Sequence, residues 1–148
     1  MRINKSLTGL SHDVYCCGSY IQPSDSPIYT RQPDLDLFSI LCEDINKYKK
    51  LCYILITGDL NARVGDLSDC PQEPPLPIDD DPMSHIDTID VPPRQTMDHI
   101  KNAWGNHLLN VCFVHDLCLL NGRTLGDLKG QPTFFSNKGN SKKMVSHQ

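Results

Sequence analysis

The sequence predicts a layered α/β (α+β) domain, and three observations carry that expectation. Asp13 to Ile21 and Cys52 to Thr57 are rich in β-formers, and the stretch between them places its apolar residues at helical spacing. A second helical pattern follows from Trp104 to His115, and strands alternating with helices pack as layers around one core. The 148 residues, 39% hydrophobic and 22% charged, suit one soluble domain spanning 1–148.

The elements follow in chain order. "DVYCCGSYI", Asp13 to Ile21, reads as a strand that ends at Pro23, with a Pro/Ser turn region running to about Pro33. Leu37, Leu41, Ile45 and Tyr48 then repeat at helical intervals, with Asp34 as the expected N-cap and Lys47, Lys49 and Lys50 at the negative end of the helix dipole. "CYILIT", Cys52 to Thr57, is an almost unbroken apolar run, which predicts a central strand covered on both faces.

Between Asp66 and Asp98, nine acids stand against the single base Arg94, a local charge of −8 within a total of −4 that leaves +4 elsewhere. Seven of the eleven prolines share this segment, so a solvated, partly disordered loop insertion is expected over about 66–98. Beyond it, Trp104, Leu108, Val111, Cys112 and His115 fall near one helical face, and "LCLLNG" and "QPTFFSN" read as two short strands.

Several function classes drop out. The seven cysteines are odd in number and lack C-x-x-C spacing, which argues against a disulfide framework and leaves a zinc site a minor option. No apolar run is long enough to cross a bilayer and the start lacks a signal-peptide pattern, so an intracellular protein is expected, nuclear or cytoplasmic. Asp59-x-Asn61 begins like a calcium loop, but Val64 and Cys70 occupy the positions that need Gly and Glu. There is no G-x-x-x-x-G-K-[S/T] for nucleotide hydrolysis. The basic remainder, including Lys138, Lys142 and Lys143, permits contact with a polyanion.

The informative stretch is "YILITGDLNARVGD", where an apolar strand stops at Gly58 and presents Asp59 and Asn61. In an extended segment these two would share a face at the carboxyl end of a strand, where ligands bind in such sheets. A carboxylate can activate water, and an amide can donate to a phosphate oxygen without adding repulsion. Gly, Asp and Asn also favour turns, so from this tetrapeptide alone a turn is the simpler reading. A calcineurin-like metallophosphoesterase would use Gly58-Asp59 with a later Gly-Asn-His, and Gly105-Asn106-His107 supplies those letters. Leu108 replaces the acid expected after them, and the upstream Asp-x-His is missing.

A wider resemblance bears on Asp59. "YILITGDLNARVGD" resembles the Gly-Asp-[Phe/Leu]-Asn-Ala-Arg signature of the endonuclease/exonuclease/phosphatase family, in the branch carried by non-LTR retrotransposons. Upstream, "DVYCCGSYIQPSDSPIY" is similar to that branch's strand ending in Tyr-Ile-x-Pro, and "LFSILCEDINKY" to its next helix. Downstream, "NAWGNHLLNVCFVHDLCLLNGRTLGDLKGQPTFFSNKGNS" looks like its G-x-x-LL-x-x-C helix, its L-x-ILNGR turn and its G-x-x-T-F strand.

The resemblance implies an incomplete four-layer α/β sandwich of the DNase I type. It also implies a magnesium-dependent phosphodiesterase acting on DNA, with Asp59 activating water, Asn61 holding phosphate and Tyr20 beside them. Arg63 is expected to be structural. In the family, magnesium stabilises charge on the phosphate or leaving oxygen.

Two family features have no counterpart among these residues. The glutamate that binds the metal precedes the Tyr-x-Pro motif, yet only twelve residues precede Asp13; the late Ser-Asp-His motif has no match in Ser141 to Gln148, where His147 lacks the intervening acid. Groups that act as a unit fail together, so impaired catalysis is expected, with a non-catalytic retroelement remnant that binds a partner or nucleic acid as the alternative. Missing strands would leave exposed sheet edges for a partner segment or self-association to cover.

Overall fold

The computed structural model describes residues 1–69 and 91–131. The expected strand "QPTFFSN" lies outside them apart from Gln131, as do the carboxyl-terminal lysines, His147 and most of the acidic insertion. Among the described residues the fold is mixed α/β, a three-stranded sheet with four helices. The order is β1 (Arg2–Ile3), α1 (Lys5–Thr8), β2 (Val14–Tyr20), α2 (Pro27–Arg31), α3 (Leu37–Tyr48), β3 (Tyr53–Asp59) and α4 (Ala103–His115). No helix among the described residues is long and apolar enough to cross a membrane.

β2 forms as expected, and it occupies the middle of the sheet in the order β1-β2-β3. It pairs antiparallel with β1 and parallel with β3, from Val14 opposite Tyr53 to Tyr20 opposite Asp59. A parallel pair requires a crossover, which α2 and α3 supply. The Pro/Ser region is therefore not all turn, because Pro27 sits in the first turn of α2, where its missing N–H costs nothing.

α3 shows the expected period, burying Phe38, Leu41 and Ile45. Its cap is Asp36 instead of Asp34. The Asp36 carboxylate accepts from the amides of Phe38 and Ser39, both at 3.0 Å, and from the Ser39 hydroxyl at 2.7 Å. Those bonds, led by the hydroxyl, hold the Asp36 carboxyl below its ordinary pKa.

The expectation of a central, doubly covered β3 requires correction. Among the described residues β3 pairs with β2 alone, and its side chains alternate. Ile54 and Ile56 pack with Cys17 of β2 against the helices, whereas Tyr53 and Leu55 are exposed on the opposite face. The helical side holds the core, where Ile45 from α3 meets Leu108, Val111 and Cys112 from α4. Ile45 is buried to 1% exposure, which stabilises the fold by roughly 2 kcal/mol.

α4 buries the face the sequence predicts, from Leu108 to His115. Burial pushes the His115 imidazole below its usual pKa, and the Lys49 ammonium at 3.4 Å adds to the effect. "LCLLNG" is not a strand: Leu117 to Leu120 run as irregular chain into a turn. Here the amide of Leu119 donates to Asp69 at 2.6 Å, where a strand would need a neighbouring carbonyl.

The acidic segment is anchored to the core at both described ends. Asp69 is buried against Arg123 at 2.6 Å, and Asp98 binds Arg63 at 2.7 Å. Arg94 donates to the carbonyls of Gly65 and Leu67. No disulfide joins any two of the six described cysteines.

Candidate functional site

Three expected site residues meet at the carboxyl end of the parallel pair. Tyr20 and Asp59 are register partners, and directly opposed residues in a sheet project to the same face. Both are exposed, on the side away from the helices. The ladder continues one step further, with the Ile21 amide donating to the Asp59 carbonyl at 2.9 Å.

Asn61 reaches this corner by a route other than the extended one. Its φ of 48° is left-handed, a conformation that asparagine tolerates better than most residues. Its amide donates to Asp59 Oδ1 at 3.0 Å, forming an Asx-type turn. The side-chain Nδ2 donates across to the Ile21 carbonyl at 2.8 Å. One Nδ2 proton and the Oδ1 lone pairs have no partner among the described residues, so the amide can still meet a ligand oxygen.

A residue that sequence reasoning missed holds this turn in place. Asn102, the N-cap of α4, accepts from Arg63 N–H at 3.0 Å and Gly105 N–H at 2.8 Å, and its Nδ2 donates to the Asn61 carbonyl at 2.8 Å. The visible signal was only an asparagine before a helix. Arg63 turns away from the corner and forks onto Asp98, with Nε at 2.9 Å and Nη2 at 2.7 Å. That fork, before any other influence, holds Asp98 below the ordinary carboxylate range.

Gly105, Asn106 and His107 all lie in the first turns of α4, where the His107 ring packs against Phe38 and Trp104. No three His, Cys, Asp or Glu side chains gather to hold a metal among the described residues. The donors at this corner, one carboxylate already engaged by Asn61 and one amide, do not fit a resident magnesium ion, which needs near-octahedral oxygen ligation.

Comparison with protein-family models, curated proteins and solved structures finds no match. The chemical reading therefore rests on this corner alone. It offers an exposed carboxylate, a tethered amide and a phenol along one strand end.

Proposed function

We propose that the chain carries the phosphate-facing part of a nucleic-acid phosphodiester site, in an incomplete sandwich of the endonuclease/exonuclease/phosphatase type. Asp59 orients an attacking water, Asn61 donates to a non-bridging phosphate oxygen, and the Tyr20 hydroxyl lies beside the backbone of the strand. The supporting observation is the registered pair Tyr20 and Asp59, with Asn61 tied to Ile21 just beyond them. The open sheet face bearing Tyr53 and Leu55 is where a second sheet, a partner segment or another copy would pack. With no metal site among the described residues, these residues bind a phosphodiester and cleave it slowly at most.

A second reading has its own observation. Asp59 Oδ1 is engaged by the Asn61 amide, which suits a tetrapeptide kept as a turn in a non-catalytic remnant that binds a partner or nucleic acid. Plasmid nicking separates the two. Supercoiled DNA incubated with the chain should show slow nicking that disappears with Asp59→Ala and persists in the presence of chelator, and nicking lost to chelator would mean that a metal ion does take part. Nicking that survives Asp59→Ala removes Asp59 from the chemistry, and none at all leaves the binding remnant. Asn61→Gly keeps the left-handed backbone and should weaken oligonucleotide binding about tenfold, the worth of a hydrogen bond to a charged group.

A further inference from the structure

On the helical side of the sheet, across the end of β2 from the face that bears Tyr20 and Asp59, Ile21, Tyr29, Phe38, Trp104 and His107 line a pocket of about 180 Å³. Trp104 is the centre of the group, with ring centroids 5.5 Å from Tyr29, 5.6 Å from Phe38 and 5.4 Å from His107. The Trp104 indole N–H and the Tyr29 hydroxyl both donate to the Gln22 carbonyl, at 2.8 and 3.1 Å. Their polar ends are thereby fixed and their ring faces held in place, which lowers the entropy cost of receiving a ligand.

Gln22 is the residue after Ile21, whose amide and carbonyl hold Asp59 and Asn61. The pocket and the phosphate corner are therefore anchored by consecutive residues at the end of β2 and open on opposite sides of the sheet, so a bound strand would pass around that end. A cavity of roughly 150 Å³ accommodates a benzene ring, so this one suits a single six-membered ring better than a fused purine. Its aromatic lining suits a flat π-system, since base stacking on aromatic side chains is worth about 1–3 kcal/mol.

The polar lining narrows the choice. Asp36 lines the pocket with an acceptor-only carboxylate, held low in pKa by its capping bonds and so ionised at neutral pH. Carboxylates pair with the exocyclic amine of cytosine and repel the corresponding carbonyl of uracil or thymine. The exposed His107 imidazole can donate to a ring acceptor at the rim.

We propose that this pocket is a base subsite for a pyrimidine of the bound strand, with cytosine preferred to uracil. It rests on the phosphodiester reading only for the strand's origin, because the pocket should bind a free nucleoside as well. Trp104 is the sole tryptophan in the chain, so its fluorescence reports this pocket directly.

The full chain is titrated with cytidine, uridine, adenosine and ribose 5-phosphate. Saturable quenching by cytidine is expected, about tenfold tighter than by uridine, as one hydrogen bond to a charged group provides. Adenosine and the sugar phosphate should leave the emission unchanged.

Asp36→Asn keeps a helix-capping side chain but presents an NH2 group, and it should erase or invert the cytidine preference. His107→Ala should weaken cytidine, whereas Asp59→Ala should not. Equal quenching by adenosine, or none by cytidine in a folded chain, overturns the subsite. Cytidine binding without any plasmid nicking leaves it standing and counts against catalysis alone.

Discussion

Gly58→Ala is expected to remove about 4 kcal/mol of stability and the phosphate corner with it. Gly58 has φ +130°, a region in which side chains are strained, and a Cβ there would lie 1.9 Å from the Ser19 carbonyl oxygen. That oxygen belongs to the neighbouring parallel strand, in register with Gly58. The extra methyl must push β3 off β2 one residue before Tyr20 meets Asp59. Strain accounts for roughly 1–3 kcal/mol and the overlap for a similar amount.

Urea unfolding gives the measurement, and two alanine controls divide the effect. Gly18 has no neighbour within 4 Å and no positive φ, so Gly18→Ala should change stability by under about 1 kcal/mol. Gly126 has φ +97° and the same open space, so Gly126→Ala should show the strain without the overlap. If Gly58→Ala unfolds at the wild-type midpoint, β2 and β3 do not approach at Ser19, and the register that pairs Tyr20 with Asp59 is wrong.

The sequence made local periodicity legible and left long-range contacts unreadable. Leu41 and Ile45 mark the buried face of α3 because a helical repeat records which side is covered. The cap moved from Asp34 to Asp36 because both acids precede the same apolar run, and only backbone geometry chooses between them. An unbroken run such as "CYILIT" contains no period, so it could not show that Ile54 and Ile56 face the core while Tyr53 and Leu55 face outward.

The candidate site divides the same way. Asp59 stood out as a strand-end acid, and its nearness to Tyr20 follows from two strands ending together. Asn61 arrives through a left-handed turn, which the extended-strand argument missed although its residue type favours that conformation. Asn102 clasps Asn61 from forty-one residues away, a contact that no local pattern encodes.

Asp69→Ala is expected to cost about 3–5 kcal/mol, although composition alone placed Asp69 in a solvated acidic loop. The Asp69 and Arg123 side chains are only 2% and 4% exposed, and Nη2 meets Oδ1 at 2.6 Å. The other carboxylate oxygen accepts from the Leu119 amide at 2.6 Å. Truncation therefore removes a buried carboxylate from the Arg123 guanidinium and leaves the Leu119 amide without this acceptor. Each loss is larger than any surface ion pair would be worth. A double variant, Asp69→Leu with Arg123→Met, removes both charges and should recover much of the loss, because a buried pair contributes little beyond an apolar pair of similar size. The Leu119 amide remains unsatisfied, so recovery should stop about 1–3 kcal/mol short of wild type. A single Asp69→Ala variant within about 1 kcal/mol of wild type would place this carboxylate in water. The chain after β3 would then not be clamped to the segment following α4, and the turn at Asn61 would depend on Asn102 and its neighbours alone.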